Sequence, residues 1–141
     1  MDERVVITGL GTINPNGHST KEIWENINNG VSGVNPITLF DASDLNVQIA
    51  CEVKSHKPLD HMSAREARHR DRFEHFVVIA ANQAIAQSGL RDQQIAADKV
   101  GVIISTVIDH HFQGPSYSVS SACASGSDAI GTGCMLIKAT E

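Results

Sequence analysis

The residue best suited to covalent chemistry is Cys123, within Ser116-Tyr117-Ser118-Val119-Ser120-Ser121-Ala122-Cys123-Ala124-Ser125-Gly126. The stretch opens as a strand, with Tyr117, Val119 and Ser121 on one face and small hydroxyl residues on the other. It then runs through small residues to Ser127 and continues as an apolar pattern through Ala129, Ile130, Met135, Leu136 and Ile137. That pattern predicts a helix, weakened by Gly131 and Gly133. Cys123 is therefore expected at a strand-to-helix junction, at or near the first helical turn. Unpaired amide N–H groups and the positive end of the helix dipole favour a thiolate there, and small neighbours leave room for a substrate. On spacing alone, the commoner outcome for a free cysteine is a small buried hydrophobe.

A cysteine nucleophile works with a base within hydrogen-bond reach. His110 and His111 lie thirteen and twelve residues before Cys123, across Gly114-Pro115 and the expected strand. An extended strand sets them roughly 20 Å from the thiol at ~3.3 Å per residue, so neither is expected to be that base. Cys51, Cys123 and Cys134 form no C-x-x-C pair, and no His/Cys/Asp spacing suits zinc. Gly9-Leu10-Gly11 follows an apolar run, but a dinucleotide fingerprint needs a third glycine where Asn14 stands. No phosphate loop or carboxylate pair is present. A basic run, Arg65-Glu66-Ala67-Arg68-His69-Arg70-Asp71-Arg72, reads either as a solvated face or as a docking patch for an acidic partner.

The elements that must position these residues follow from periodicity. Arg4-Val5-Val6-Ile7-Thr8 is expected as a buried, β-branched strand. Asn14-Pro15-Asn16-Gly17 is a turn, and Ser19-Thr20-Lys21-Glu22 has the form of a capping box. The helix that follows is expected to bury Ile23, Trp24 and Ile27 and to stop near Gly30. Residues 31–45 read as loop. Val47, Ile49, Cys51 and Val53 form the apolar face of a strand, with Cys51 a core residue. Phe73, Phe76, Val77, Ala80, Ala81, Ala84 and Ile85 predict a long helix over 72–88, closed by Gly89. Lys99 to Thr106 is expected as a second buried strand.

Composition narrows the function classes. A chain of 141 residues suits one domain. Its formal charge of −5 argues against a general nucleic-acid binder. An odd cysteine count suits a reduced, cytoplasmic setting rather than a disulfide scaffold. The acidic start, Met1-Asp2-Glu3-Arg4, is not expected to act as a signal peptide, and no apolar run is long enough to cross a membrane as a helix.

The segment from Ser120 to Gly126, preceded by Gly114-Pro115, resembles the nucleophile motif of the β-ketoacyl-acyl-carrier-protein synthases, condensing enzymes of the thiolase superfamily. Arg4 to Gly17, Trp24, Ser32-Gly33 and Phe40-Asp41-Ala42-Ser43 are similar to the opening of the same family. The resemblance covers residues 4–106 and 111–139 and breaks at 107–110, where family members carry a longer segment. It implies that residues 1–141 are a partial synthase N-terminal domain. The fold class would be α/β, the N-terminal half of a thiolase-like fold with helices packed on a mixed, incomplete sheet.

Cys123 would then be the acyl acceptor, with no cofactor and no metal, in fatty-acid or polyketide synthesis. Arg65, Arg68 and His69 would face acyl carrier protein, which delivers the acyl and malonyl thioesters. The family works as a dimer, so a homodimer or completion by another chain is expected. Decarboxylative condensation in the family draws on two histidines, a lysine and a backbone amide beyond the stretch matched here. A truncated form, able to take up an acyl group but not to condense it, is therefore expected. The alternatives are a non-catalytic module that binds carrier protein or another subunit, and a cysteine hydrolase, which lacks a base.

Overall fold

A computed structural model of the chain describes residues 4–93, 95–96, 99–105 and 116–139. Among them the regular elements are α1 (Thr20–Asn28), β1 (Val34–Pro36), β2 (Ile49–Cys51), α2 (Ala64–His69), α3 (Arg72–Ser88), β3 (Val102–Ser105), β4 (Ser116–Val119) and α4 (Ser125–Ala139). They divide into two units, Thr8–Asp92 on one side, and Met1–Ile7 with Gln93–Glu141 on the other.

In the first unit, α3 is the scaffold. It has the expected bounds and ends at Gly89, whose φ of 66° takes the left-handed cap that glycine adopts without strain. Its most buried residues are His75 and Ile79, off centre from the predicted apolar stripe. Ile79, 2% exposed, contributes about 1.5–3 kcal/mol by its burial. The segment after residue 8 lies directly on this helix. A Cβ at Gly9 would stand 2.1 Å from the Ala84 carbonyl oxygen, and one at Gly11 would stand 1.8 Å from that of Ala80. The two glycines are thus needed for close approach, more than for a tight turn. Gln83 and Gln87 then tie the segment down. Leu10 N–H donates to Gln87 Oε1 (2.5 Å), Thr12 N–H donates to Gln83 Oε1 (3.0 Å), and Gln83 Nε2 donates to the His18 carbonyl (2.6 Å).

α1 begins where the capping pattern placed it. Ser19 Oγ accepts the Glu22 N–H at 3.2 Å, but the Glu22 carboxylate reaches one residue further back, to the His18 N–H at 2.7 Å. Of the three residues expected to be buried, Ile23 is, whereas Trp24 is 66% exposed and Ile27 is exposed too. Residues 31–45 are not all loop, because Val34–Pro36 pairs antiparallel with Ile49–Cys51 in the register Val34↔Cys51. The strand face is the opposite of the expected one. Ile49 and Cys51 are exposed while Glu52 is only 8% exposed. The reason is polar. Glu52 accepts the Thr38 N–H (3.1 Å), the Thr38 hydroxyl (2.7 Å) and the Leu39 N–H (3.2 Å), fixing its parity inward. A one-residue change of parity turns every side chain over, so Cys51 is a surface thiol and not a core residue.

In the second unit, β3 and β4 pair in parallel, in the register Val102↔Ser116 to Ser105↔Val119, and α4 packs against both strands. The predicted strand at 99–106 is confined to Val102–Ser105 among the described residues. α4 runs through Gly131 and Gly133 unbroken, yet Ile130, Met135 and Ile137 are exposed. Arg4 to Thr8 form no strand, and Val6 and Ile7 are exposed. A strand persists only where a neighbour completes its hydrogen-bond ladder, and these residues have no such neighbour among the described residues. Val107 to His111 and Gly114-Pro115, where the resemblance breaks and resumes, lie outside the described residues. No helix among the described residues is long and apolar enough to cross a membrane.

Candidate functional site

Cys123 sits in a short 3-10 turn, Ala122–Ala124, between β4 and the start of α4. Its thiol is exposed. Ser121, two residues earlier, anchors the turn from three directions. Its N–H donates to Ser125 Oγ at 2.8 Å, its carbonyl accepts the Ala124 N–H at 3.3 Å, and its hydroxyl donates to the Asp128 carboxylate. Ser125 is buried. Thr132 Oγ1 donates to the Asp128 carbonyl at 2.8 Å in the following turn. Ser125-Gly126-Ser127-Asp128 has the Ser-x-x-Asp form that marks a helix start. That pattern was the available sequence signal for these two anchors. Chemically, the arrangement offers an exposed thiol on a turn whose two ends are pinned by side chains. His110 and His111 lie outside the described residues.

α2 carries the basic candidates. Ser63 caps it in a reciprocal box: Ser63 Oγ accepts the Glu66 N–H at 3.2 Å, and Glu66 Oε2 accepts the Ser63 N–H at 3.0 Å. Hydrogen bonds from the Ser63 hydroxyl and N–H hold the Glu66 carboxyl below the usual range, so it stays ionised. Arg65, Arg68 and His69 are all exposed. Arg65 and Arg68 are three apart, one above the other on the helix. Arg70 pairs with Glu66 at 3.9 Å, whereas Arg65 and Arg68 make no ion pair among the described residues.

A histidine pair beneath α2 went unnoticed in the sequence. His75 of α3 is 7% exposed. Its Nδ1 lies 3.1 Å from His56 Nε2, and its Nε2 lies 3.2 Å from the Ala67 carbonyl of α2. The His56 ring also meets Phe76 edge-on, 5.0 Å between centroids. The Arg72 guanidinium stands 5.5 Å over that same Phe76 ring and donates to the Val53 carbonyl at 2.5 Å. Partial burial, with Arg72 and His75 nearby, pushes the His56 imidazole below its ordinary range. No periodicity exposes such a pair, because the two residues are nineteen apart in the chain. Among the described residues, no group of three or more His, Cys, Asp or Glu is placed to hold a metal ion.

Known proteins are similar to this chain in sequence and in fold. The family model described as "Beta-ketoacyl synthase, N-terminal domain" matches residues 2–111. A 3-oxoacyl-[acyl-carrier-protein] synthase 2 of Synechocystis is 42% identical over 106 residues, 75% of this chain and 26% of that protein. A 3-oxoacyl-[acyl-carrier-protein] synthase 2 of Staphylococcus aureus (strain COL) is 38% identical over 107 residues, 76% of this chain and 26% of its own length. Among solved structures, the ishigamide ketosynthase/chain length factor aligns with a TM-score of 0.56 at 27% identity, covering 72% of this chain and 25% of that one. The chain thus spans about a quarter of the length of the curated relatives it matches. The family match takes in Arg65, Arg68 and His69 and ends before Cys123. Its mixed helix-and-strand architecture is that of a ketosynthase N-terminal portion, and the chain belongs to the β-ketoacyl synthase family.

Proposed function

We propose that this chain contributes the nucleophile and the carrier-protein docking face of a β-ketoacyl-acyl-carrier-protein synthase. The observation that supports this reading best is the exposed Cys123 on a pinned turn between β4 and α4, in a chain of that family. In the proposed reaction, Cys123 Sγ, as thiolate, attacks the carbonyl of an acyl thioester borne by acyl carrier protein. The tetrahedral intermediate collapses, the carrier thiolate leaves and takes up a proton, and the acyl group remains on Sγ. A malonyl thioester then loses carbon dioxide, its enolate carbon attacks the acyl-cysteine carbonyl, and the C–S bond breaks to release the Cys123 thiolate. That step needs donors aimed at the developing oxyanions, which the family supplies from residues without a counterpart in this stretch. The 141 residues alone therefore take up the acyl group without forming the condensed product.

Arg65 and Arg68 support docking because they are exposed and uncommitted to any carboxylate among the described residues. Opposed charges across an interface raise encounter rates and set orientation. A homodimer, or a second chain that completes the fold, fits a β3–β4 sheet that has two strands among the described residues, and the setting is cytoplasmic. A second reading is a non-catalytic module that binds carrier protein. It is favoured by one observation, that the family match includes the docking residues and stops short of Cys123. Mass spectrometry after incubation with an acyl-acyl-carrier-protein thioester separates the two. An acyl adduct on Cys123, absent in Cys123→Ala, supports the synthase reading. Carrier-protein binding without any adduct supports the module and overturns the first.

A further inference from the structure

We propose that His56 and His75 form a two-imidazole strut that sets the position of α2, and through it the affinity of Arg65 and Arg68 for carrier protein. The inference rests on the docking reading above. α2 needs external support for three reasons. At six residues it is far shorter than the roughly 12–15 at which an isolated helix becomes marginal in water. It buries none of its own residues. Its last four carbonyls have no intrahelical partner, and Ala67 is one of them.

The capping box of Ser63 and Glu66 fixes only the first turn. At the other end, His75 reaches the Ala67 carbonyl. A carbonyl oxygen only accepts, so Nε2 of His75 carries the proton. In the neutral ring Nδ1 then accepts, and His56 Nε2–H donates to it at 3.1 Å. One backbone carbonyl thus dictates the tautomers of both rings. The ring of His56 is itself held by the edge contact with Phe76, and Phe76 lies under Arg72. Partial burial, and the basic groups Arg72, His75, His18 and His61 around it, favour the neutral form of His56.

The strut makes a spectroscopic demand as well as a binding one. In wild-type protein above neutral pH, nitrogen-15 NMR of the imidazoles is expected to show His75 as the Nε2–H tautomer, with a slowly exchanging ring proton. A His75 found as the Nδ1–H tautomer overturns the proposal without any variant. His75→Leu removes donor and acceptor, and is expected to lower the exchange protection of the α2 amides. It should also weaken binding of a fatty-acid acyl carrier protein roughly three- to tenfold. His75→Gln, which keeps one donor and one acceptor at similar reach, is expected to restore binding to within about twofold of wild type. Equal binding by the Leu and Gln variants overturns the proposal. If His75→Leu does not fold, His56→Leu serves in its place, since it frees the His75 tautomer while leaving the Ala67 contact possible. Unchanged α2 protection in that variant overturns the strut.

Charge reversal at Arg65 and Arg68 runs in parallel. No effect there removes the docking reading and the binding half of this proposal, while the tautomer and exchange data still decide whether the strut exists.

Discussion

The turn that carries Cys123 and the helix that carries Arg65 and Arg68 are held in different ways. Around Cys123 the anchors are local: Ser121, Ser125 and Asp128 close the turn within eight residues of sequence, and the thiol itself stays exposed. Around α2 the first turn is closed locally by Ser63 and Glu66, but further along the helix the contact is remote: His75 of α3 reaches the Ala67 carbonyl and is itself met by His56 from the loop after β2. Local anchoring suits a group whose reactivity depends on standing at one point of the backbone. Remote anchoring suits a surface whose orientation must match a partner. The contrast teaches that the geometry around Cys123 is set by a short stretch of sequence, whereas the geometry of α2 also depends on α3.

The largest effect expected is on covalent capture. Cys123→Ala should abolish the acyl adduct, and the unaltered 141 residues should form no β-ketoacyl product. Losing even one oxyanion donor typically costs ~3 kcal/mol, a hundredfold or more in rate. Detection of that product, with its loss in Cys123→Ala, would show that these 141 residues already hold a complete condensing site.

A substitution at the scaffold tests the remote side. Gly11→Ala would place a methyl 1.8 Å from the Ala80 carbonyl oxygen. Overpacking of this kind costs about 1–3 kcal/mol, so the denaturation midpoint should fall and carrier binding with it. Iodoacetamide labelling of Cys123 should hardly change. Labelling that changes as much as binding would break the contrast between local and remote anchoring.

Smaller effects follow at the surface. Arg65→Glu with Arg68→Glu should weaken carrier-protein binding several-fold. The wild-type interaction should fade with added salt, because exposed charges are screened beyond about 10 Å at 0.1 M. Site-resolved alkylation at pH 7 sharpens the local side. Cys51 and Cys123 are both exposed, so exposure does not separate them. Position at a helix start does, and Cys123 should label faster than Cys51 or the half-buried Cys134. Cys51 as the fastest site would remove the nucleophile assignment.

Acid should loosen the first unit slightly. The Thr38 hydroxyl, with the Thr38 and Leu39 N–H groups, holds the Glu52 carboxyl below its usual 4.5. A depressed carboxyl stabilises the fold above its unfolded value, and that contribution is lost as pH falls through the lower folded one. The unfolding midpoint of wild type should therefore fall below about pH 4.5 more than that of Glu52→Gln. Parallel curves for the two would separate Glu52 from the acid response.

Much of this architecture was legible in residue order. α3 and its Gly89 cap, the Ser19 start of α1, and the small-residue junction around Cys123 all depend on interactions within a few positions of the chain. Periodicity and capping report such interactions directly. Other features were not legible. The parity of β2 was decided by the Glu52 carboxylate meeting Thr38 and Leu39, fourteen and thirteen residues away. The apolar face that alternation assigned to the interior turned outward as a result.

Trp24 and Ile27 were read as core because they recur at helical spacing, yet spacing reports only that a face exists, not that anything covers it. Likewise Val6 and Ile7 have strand propensity, but a strand is a property of two chains of backbone and not of one. The sequence by itself determined the local turns, caps and helices, and it marked Cys123 and the basic run as chemistry-bearing. Only the tertiary structure decided which faces are buried, which carboxylate overrides an apolar pattern, and that His75 reaches the Ala67 carbonyl. The physical reason is range: those outcomes come from groups brought together across many residues, where no local pattern carries the information.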